Sequence, residues 1–382
     1  MNKNIIYLDN AATTRTDPRV VNEMLKYFDI LYGNPSSVYE FAGKSKEAIE
    51  KSRHIIAKSI NAKDTEIYFT SGGTESDNWA LRGTAKAYKD RGRHIITSKI
   101  EHKAILNTAK NIEDIGFEVS YIDVNEYGVL KLQGLKDSIR NDTILISVMM
   151  ANNEVGTIEP YENIADIAKM KNIIFHTDAV QCYGHIPINV KKSGIDLLSA
   201  SAHKFNGPKG IGFLYISDDI KKEPMMFGGG QENGMRSGTQ NVPSIVGMAM
   251  AARIAHENIE KRMKTEKYLR DYFIDRVLRE IPFARLNGDK ELRLPGNVNF
   301  SFEYVNNTEL IALLDSVGIC ASGGSACSAS KNSPSHVLVA MGLTKNLANS
   351  AIRFTFSHNN TKNEIDYTVN CLKYFINNIR KS

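Results

Sequence analysis

The sequence predicts an α/β protein: a mostly parallel, seven-stranded sheet sandwiched by helices, with a small α+β domain beside it. Seven short apolar runs rich in β-forming residues alternate with segments of helical period, which is the pattern of repeated strand and helix units. A length of 382 residues leaves room for the second domain, because domains commonly span about 100 to 200 residues.

The seven predicted strands are short enough, and flanked closely enough by helical segments, to be neighbours in one sheet. In order they read EIYFT at 66, HIITS at 94, VSYID at 119, ILISVMM at 144, IIFHTD at 173, DLLSA at 196 and IGFLYI at 211.

The pattern changes after residue 241. One long, highly charged helical stretch is predicted from 244 to about 280, and shorter mixed elements follow from PGNVNFSF at 295. An amphipathic helix, NEIDYTVNCLKYFINNI, closes the chain. These segments predict the small α+β domain, with a boundary near residue 257.

Composition excludes several functions. The chain carries 48 basic and 43 acidic residues, and no Lys/Arg block that would follow a nucleic acid backbone. It shows no long apolar leader and no run near the ~18 apolar residues of a membrane span. Its four cysteines lack CxxC spacing, so we expect free thiols and no zinc site. We therefore expect a soluble, cytoplasmic protein without nucleic acid or membrane partners.

Open α/β sheets bind ligands at the carboxyl ends of their strands, so the residues after each run are the candidates. In TSGGTES (70–76), two glycines permit a sharp turn into a helix that begins near Thr74. Free backbone N–H groups there suit a phosphate, although an ordinary turn is an equal alternative. In HTDAVQ, Asp178 ends a strand and suits a protonated ring nitrogen; a helix N-cap is the alternative.

A lysine follows the sixth strand in SASAHKFNGPKGIG (199–212). Lys204 lies beside Ser201 and His203, and a lysine held near other cationic groups loses its proton readily and forms a Schiff base with an aldehyde. A solvated loop lysine is the alternative for this residue alone. A phosphate turn, an aspartate and a lysine at successive strand ends are together the parts that a pyridoxal phosphate site requires.

Nine motifs occur in order along nearly the whole chain: YLDNAATT (7–14), GNPSS (33–37), TSGGTES, EHKAIL (101–106), ANNEVGT (151–157), HTDAVQ, SAHKFNGPKGIG, MRSGTQN (235–241) and GSACS (324–328). With these motifs the chain resembles the pyridoxal-phosphate cysteine desulfurases, which belong to the class V aminotransferases. The resemblance implies fold type I, a homodimer, a large cofactor domain at 15–257, and a small domain from 1–14 and 258–382.

The resemblance assigns the cofactor residues of the site. It implies that Lys204 forms the internal aldimine and moves protons, and that Asp178 pairs with the pyridine nitrogen. It also implies that His102 stacks on the ring and moves protons. The remaining contacts that it implies are Gln181 and Asn153 at the ring oxygen and the substrate side, Thr74, Ser201 and His203 at the phosphate, and Thr239 at the phosphate of the neighbouring subunit.

The resemblance also implies that an arginine near the carboxyl terminus binds the substrate carboxylate. In SAIRFTF, Arg353 presents a planar fork that matches both carboxylate oxygens, and Asn34 would assist it. A structural salt bridge is the usual explanation for an isolated arginine in a strand.

Cys327 lies in SGGSACSAS (322–330), among side chains too small to build a core around it. The resemblance implies that its thiolate takes the sulfur of L-cysteine, leaves alanine, and keeps a persulfide. The GSAC form resembles the longer-loop group, which passes sulfur to iron–sulfur scaffold proteins or tRNA-thiolating enzymes. No metal site is expected, with an iron–sulfur contact at Cys327 left open.

Departures from the family pattern concern Tyr39, where histidine is usual, and Ser357 and His358, where glycine and arginine are usual. Asp77 stands where asparagine is frequent and is expected to add a negative charge near the phosphate turn. The other three thiols, Cys182, Cys320 and Cys371, are expected to be small buried hydrophobes. A redox pair of Cys320 and Cys327 is the alternative.

Other functions remain open from the sequence. A selenocysteine lyase or another class V aminotransferase would use the same cofactor residues, and an aminotransferase would need a keto acid instead of Cys327. A protein without catalytic activity that docks on a sulfur acceptor is the alternative from another class. The intact lysine, aspartate, histidine, arginine and cysteine argue against it.

Overall fold

The computed structural model describes residues 5–323 and 334–381. The strands of these residues are β1 (Ile6–Tyr7), β2 (Ile67–Thr70), β3 (His94–Ser98), β4 (Glu118–Ile122), β5 (Thr143–Ser147), β6 (Ile174–Asp178), β7 (Leu197–Ser201), β8 (Gly212–Ile216), β9 (Ala284–Asn287), β10 (Asn297–Phe302), β11 (Ile319–Cys320) and β12 (Ala351–Thr355).

The α-helices lie between these strands and at the carboxyl end of the chain. They are α1 (Pro18–Asp29), α2 (Glu40–Ser59), α3 (Gly73–Tyr88), α4 (Lys103–Glu113), α5 (Leu132–Ser138), α6 (Tyr161–Met170), α7 (Val242–Glu257), α8 (Ile259–Glu280), α9 (Asn307–Ser316), α10 (His336–Ala340), α11 (Lys345–Asn349) and α12 (Lys362–Ile379).

A seven-stranded sheet organises the larger part of the chain, in the order β2-β8-β7-β6-β5-β3-β4. Strands β3 to β7 are parallel, and β8 runs antiparallel to both of its neighbours. Every residue of β5, β6 and β7 is buried, as expected of parallel strands covered on both faces. The prediction of a mostly parallel, seven-stranded sheet is confirmed, and each predicted run overlaps one of its strands.

Helices cover both faces of this sheet. One core joins the sheet to α1, α2, α6 and α7, and another joins it to α3 and α4. The parallel strands therefore end at one edge, where the turns into the helices lie side by side.

The single long helix predicted from 244 to about 280 is wrong. The chain forms α7 and α8, which meet at Asn258 (φ −122°, ψ 13°). The Asn258 side chain donates to the carbonyl oxygen of Ile254, and such local bonds to the backbone compete with helix continuation.

A second core lies beside the large sheet. The antiparallel sheet β12-β10-β9 and the parallel pair β1-β11 pack with α8, α9 and α12. Its apolar residues are Ile6, Leu8 and others from Leu269 onward, so the amino-terminal strand joins the carboxyl-terminal elements. The division of the chain at residue 257 stays a prediction.

None of the described helices is both long enough and apolar enough to cross a bilayer.

The second core is centred on Phe273, whose ring lies 5.0 Å from that of Phe354 and 5.4 Å from that of Phe356. We predict that Phe273→Ala lowers the free energy of unfolding by about 3–5 kcal/mol, because it leaves a cavity among aromatic side chains. Urea unfolding followed by circular dichroism measures this change. Tyr374→Ala, at a side chain that is 64% exposed, is the control, and equal losses in both variants would contradict the prediction.

Candidate active site

A cavity of about 240 Å³ lies at the carboxyl ends of the parallel strands. It is bounded by the turns after β2, β5, β6 and β7, by the start of α4, by β12 and by the amino-terminal segment. Nine of the residues assigned from the sequence line it: Thr74, His102, Asn153, Asp178, Gln181, Ser201, His203, Lys204 and Arg353. Their roles stay predictions, but the structure brings them together.

Lys204 ends a short 3₁₀ turn directly after β7. Its Nζ donates to the carbonyl oxygens of Ala11 and Ala12 at 2.6 and 2.9 Å. The His185 ring lies 2.9 Å from the Lys204 carbonyl oxygen and donates to it through Nε2. The lysine is therefore fixed at both its backbone and its amine, facing the cavity.

Asp178 and His102 each affect the pKa of the other across the cavity. Burial raises the pKa of Asp178, while His102, the bond from the Val180 N–H and Lys204 lower it. Burial lowers the pKa of His102, Asp178 raises it, and Lys204 lowers it. His102 Nδ1 accepts the Ala104 N–H at 3.2 Å, so the neutral ring carries its proton on Nε2.

The wall beside Asp178 contains a second buried carboxyl group. Asp77, on α3, is 1% exposed, and its Oδ1 lies 3.9 Å from Nε2 of His176. Burial first, and then Asp178, raise the pKa of Asp77 well above its usual range. Burial and the nearby Asp178 thus oppose the negative charge that is expected of Asp77 near the phosphate turn.

The turn between β2 and α3 is built on two glycines, and it begins a helix whose amino-terminal end suits an anion. Gly72 has φ 150°, a conformation that favours glycine, and a Cβ on Gly73 would lie 2.7 Å from Val180 Cγ2. Among the described residues, no side chain caps α3, so its first N–H groups remain available. Thr74 and Ser201 line the same corner.

His203 completes this side of the cavity. Its Nδ1 lies 3.1 Å from Thr13 Oγ1. Burial, with Lys204 and Lys209, lowers the pKa of His203 to about 4. The ring is therefore neutral near pH 7 and serves as a hydrogen-bonding group.

Arg353 lies on β12 and is 2% exposed. Its Nη1 donates to the Asn153 carbonyl oxygen at 2.8 Å, and its Nη2 pairs with Asp9 Oδ1 at 2.9 Å. Its Nε is buried and has no partner among the described residues. The guanidinium is thus oriented at the cavity wall, and these two bonds use two of its five N–H donors.

Two assigned residues lie elsewhere. Asn34 is exposed, and its Oδ1 accepts the Ser36 N–H in the turn before α2. Thr239 lines a separate cavity of about 180 Å³. The Cys327 assignment lies outside the described residues.

The other thiols differ in burial. Cys182 is fully buried, as predicted, whereas Cys320 and Cys371 are half-buried.

The departures from the family pattern at Tyr39, Ser357 and His358 lie away from the cavity. Tyr39 is the exposed residue before α2. His358 Nδ1 lies 3.9 Å from Oε1 of buried Glu266.

The sequence did not assign Asp9 or the carbonyl groups of Ala11 and Ala12. All three belong to the YLDNAATT motif, so this motif could have indicated that they are part of the site. Glu154 was also missed; it belongs to ANNEVGT, and its carboxylate accepts a bond from Ser335 Oγ.

The fold and this cavity define a protein of the class V aminotransferase family, whose model matches residues 6–368. The chain belongs to that family. It is 48% identical to the cysteine desulfurase IscS of Methanosarcina thermophila, over 98% of this chain and 93% of the relative. It is 47% identical to IscS of Clostridium botulinum, over 100% and 96%. The predicted resemblance is confirmed.

Solved structures agree with this assignment. A NifS-like protein aligns with a TM-score of 0.92 and 40% identity, over 98% of this chain and 99% of that one. SspA in complex with cysteine aligns with a TM-score of 0.81 and 37% identity, over 92% and 98%.

The cavity fits pyridoxal phosphate, the cofactor of this family. Gly73 lies so close to Val180 that a Cβ there would clash, and α3 offers uncapped N–H groups to a phosphate. A buried carboxyl group, Asp178, suits a cationic ring nitrogen, and Lys204 supplies an amine for the aldehyde.

Beneath His102, the buried carboxyl of Glu101 has its pKa raised to about 8, mainly by burial. Between about pH 5 and 8 the unfolded chain has released this proton while the folded protein keeps it, so stability falls as pH rises. We predict that Glu101→Gln makes the free energy of unfolding less dependent on pH in this range. The slope should decrease by up to about 1.4 kcal/mol per pH unit.

Urea unfolding at several pH values, with equal cofactor content, checks this prediction. Glu126→Gln, at an exposed side chain, is the matched control. Parallel pH profiles for the wild-type protein and Glu101→Gln would contradict it.

Proposed function

We propose that the protein is a cysteine desulfurase, which converts L-cysteine to L-alanine and leaves the sulfur as a persulfide on Cys327. The supporting observation is the joint placement of Lys204, Asp178 and Arg353 around one cavity, in a chain 47–48% identical to proteins named cysteine desulfurase IscS.

Pyridoxal phosphate, when bound, supplies an electron-withdrawing ring that activates the substrate amino acid. Lys204 would bind its aldehyde, and Asp178 would hold its ring nitrogen. Its phosphate would lie at Thr74, Ser201 and His203. Its ring would contact three further residues: His102, Gln181 and Asn153.

Arg353 would bind the substrate carboxylate. Asp9 and the Asn153 carbonyl already hold two of its nitrogens, so little side-chain freedom remains to be lost when a ligand arrives. Because Arg353 is buried, a charge-assisted bond there is stronger than one in water. Asn34 stays a predicted contributor.

Lys204 and His102 would transfer protons during the reaction. The Lys204 amine faces the cavity, next to a neutral His102 whose proton is on Nε2.

In the sulfur step, the Cys327 thiolate forms an S–S bond with the substrate sulfur while the C–S bond breaks. The carbon takes a proton and leaves as alanine. A reduced acceptor thiol, on an iron–sulfur scaffold or tRNA-thiolation protein, would then take the outer sulfur.

The complete site would need a homodimer. Exposed apolar side chains cluster on α1 and the segment before and at the start of α2, and a monomer seldom exposes so many together. They are Val21, Leu25, Phe28, Ile30, Tyr32, Val38, Tyr39 and Phe41. We propose that a second copy covers this face and that Thr239 reaches the partner's phosphate site.

The direct test measures alanine and sulfide released from L-cysteine with a reductant present. We predict equal amounts of both products from the wild type and their loss in Cys327→Ala and Lys204→Ala, because these remove the sulfur carrier and the cofactor amine. Full activity in Cys327→Ala would contradict the proposal and favour a lyase; a keto acid requirement would favour an aminotransferase. Transfer through Cys327 would be contradicted if a purified acceptor protein took up sulfur from cysteine without the formation of alanine.

The dimer is tested by sedimentation. Phe28 lies on the exposed face of α1, so Phe28→Asp is predicted to shift the protein from twice its 42.6 kDa chain mass toward a monomer. Tyr374→Asp, at an equally exposed residue of α12, is the control. A monomeric wild type, or an unchanged Phe28→Asp, would contradict the proposal.

A further inference from the structure

Side chains from two parts of the fold hold the backbone around Lys204. After the lysine, the chain turns back on Ala202, whose carbonyl oxygen accepts the N–H groups of Phe205 and Gly207 at 3.1 and 2.9 Å. The direction of the Lys204 side chain depends on the position of this backbone. The contacts of residues 204–207 therefore bear on the placement of the Lys204 amine.

The first contact comes from the turn after β6. His185 Nε2 donates to the Lys204 carbonyl oxygen at 2.9 Å. Gly184, with φ 80°, brings this turn against the lysine segment, and a Cβ on Gly184 would lie only 2.7 Å from Phe205 Cβ. The bond from His185 thus depends on a close backbone approach that a larger residue at 184 would prevent.

A buried carboxylate lies on the other side of the His185 ring. Glu266 of α8 is 1% exposed, and its Oε2 lies 3.8 Å from His185 Nδ1. At this distance the attraction is electrostatic rather than a hydrogen bond, and burial strengthens it. The ring therefore lies between a carbonyl oxygen and a carboxylate, and a proton on each ring nitrogen satisfies both. Glu266 thus favours the ring orientation in which Nε2 keeps its proton for Lys204.

The same helix contacts the lysine segment a second time. Arg262, one helical turn before Glu266, is 7% exposed and donates from Nη2 to Asn206 Oδ1 at 3.1 Å. Asn206 Nδ2 donates in turn to the Arg15 carbonyl oxygen at 3.0 Å. Helix α8 therefore contacts the chain at residue 206 directly and at residue 204 through His185.

We propose that Glu266 is a positioning residue for Lys204, acting through His185 on the backbone carbonyl of the lysine. This inference rests on the proposed function, in which Lys204 binds the cofactor aldehyde, and adds to it a residue that does not line the cavity. An amine held in place has a high effective concentration at the aldehyde. A displacement of about 1 Å between reacting groups costs on the order of a hundredfold in rate.

Titration of the holoenzyme with L-alanine, the proposed product, measures this placement without sulfur chemistry. The alanine amino group replaces the Lys204 amine at the cofactor aldehyde, and the cofactor absorbance reports the exchange. A lysine that is less well placed competes less well, so a loss of positioning lowers the alanine concentration at half-saturation. Damage to the binding of the amino acid raises it, and the two causes are thereby distinguished.

We expect Glu266→Gln to lower the half-saturating alanine concentration about threefold to tenfold. His185→Leu should do the same, because it removes the donor to the Lys204 carbonyl oxygen. His185→Gln keeps an N–H donor, and Glu266→Gln should add nothing in that background. His358→Gln is the matched control: it removes the other imidazole beside Glu266, leaves His185 in place, and should match the wild type.

An unchanged or raised half-saturating concentration in Glu266→Gln would overturn the proposal. An equal further shift from Glu266→Gln in the His185→Gln protein would overturn it too, because Glu266 would then not act through His185. If Glu266→Gln does not fold, the comparison of His185→Leu with His185→Gln decides, and equal values refute the role of the bond to Lys204.

The alanine titration separates this proposal from the desulfurase function. Full desulfuration in Cys327→Ala, together with the expected shift in Glu266→Gln, would refute the desulfurase function and support the positioning of Lys204. Loss of desulfuration in Cys327→Ala, with no shift in Glu266→Gln, would refute the positioning alone.

Discussion

The site depends on the attachment of the amino-terminal segment to the catalytic edge of the large sheet, through the bonds from Lys204 Nζ to Ala11 and Ala12. The same segment supplies Asp9 to Arg353, and the Thr14 N–H donates to the His203 carbonyl oxygen at 2.8 Å. Residues 9–14 thus connect the lysine after β7 with the arginine on β12. Without this connection, the two groups proposed to bind the amino and carboxylate ends of a substrate amino acid would belong to separate cores.

Burial gives this edge its electrostatic character. Asp77, Asp178 and Glu101 all have a raised pKa, mainly because of desolvation, and the neighbouring His102 and His203 have a lowered pKa. Such a site disfavours isolated charge and stabilises a charge that arrives with its counter-charge. A cationic ring nitrogen beside Asp178 is one such arrangement. Perturbed acids and bases concentrated at a cavity are typical of catalytic sites.

Much of the fold was readable from the sequence because fully buried parallel strands are continuous apolar runs, and all seven runs became strands. The break between α7 and α8 was not readable, since Asn258 is one polar residue in a charged helical stretch and its effect depends on a local side-chain bond. Asp178 was found because it ends a strand, and Lys204 because it follows one. Asp9 and Glu154 were missed because their partners, Arg353 and Ser335, lie 344 and 181 residues away, and no local pattern encodes such contacts. The raised pKa of Asp77 likewise depends on burial that the sequence does not show.

The most direct measurement of the central claim is the mass of the peptide that contains Cys327 after the enzyme receives one equivalent of L-cysteine and no reductant. The account predicts that this peptide gains the mass of one sulfur atom, that alanine appears in equal amount, and that alkylation of Cys327 beforehand abolishes both. Alanine formed while the sulfur is found on Cys320, or on no thiol of the protein, would contradict it.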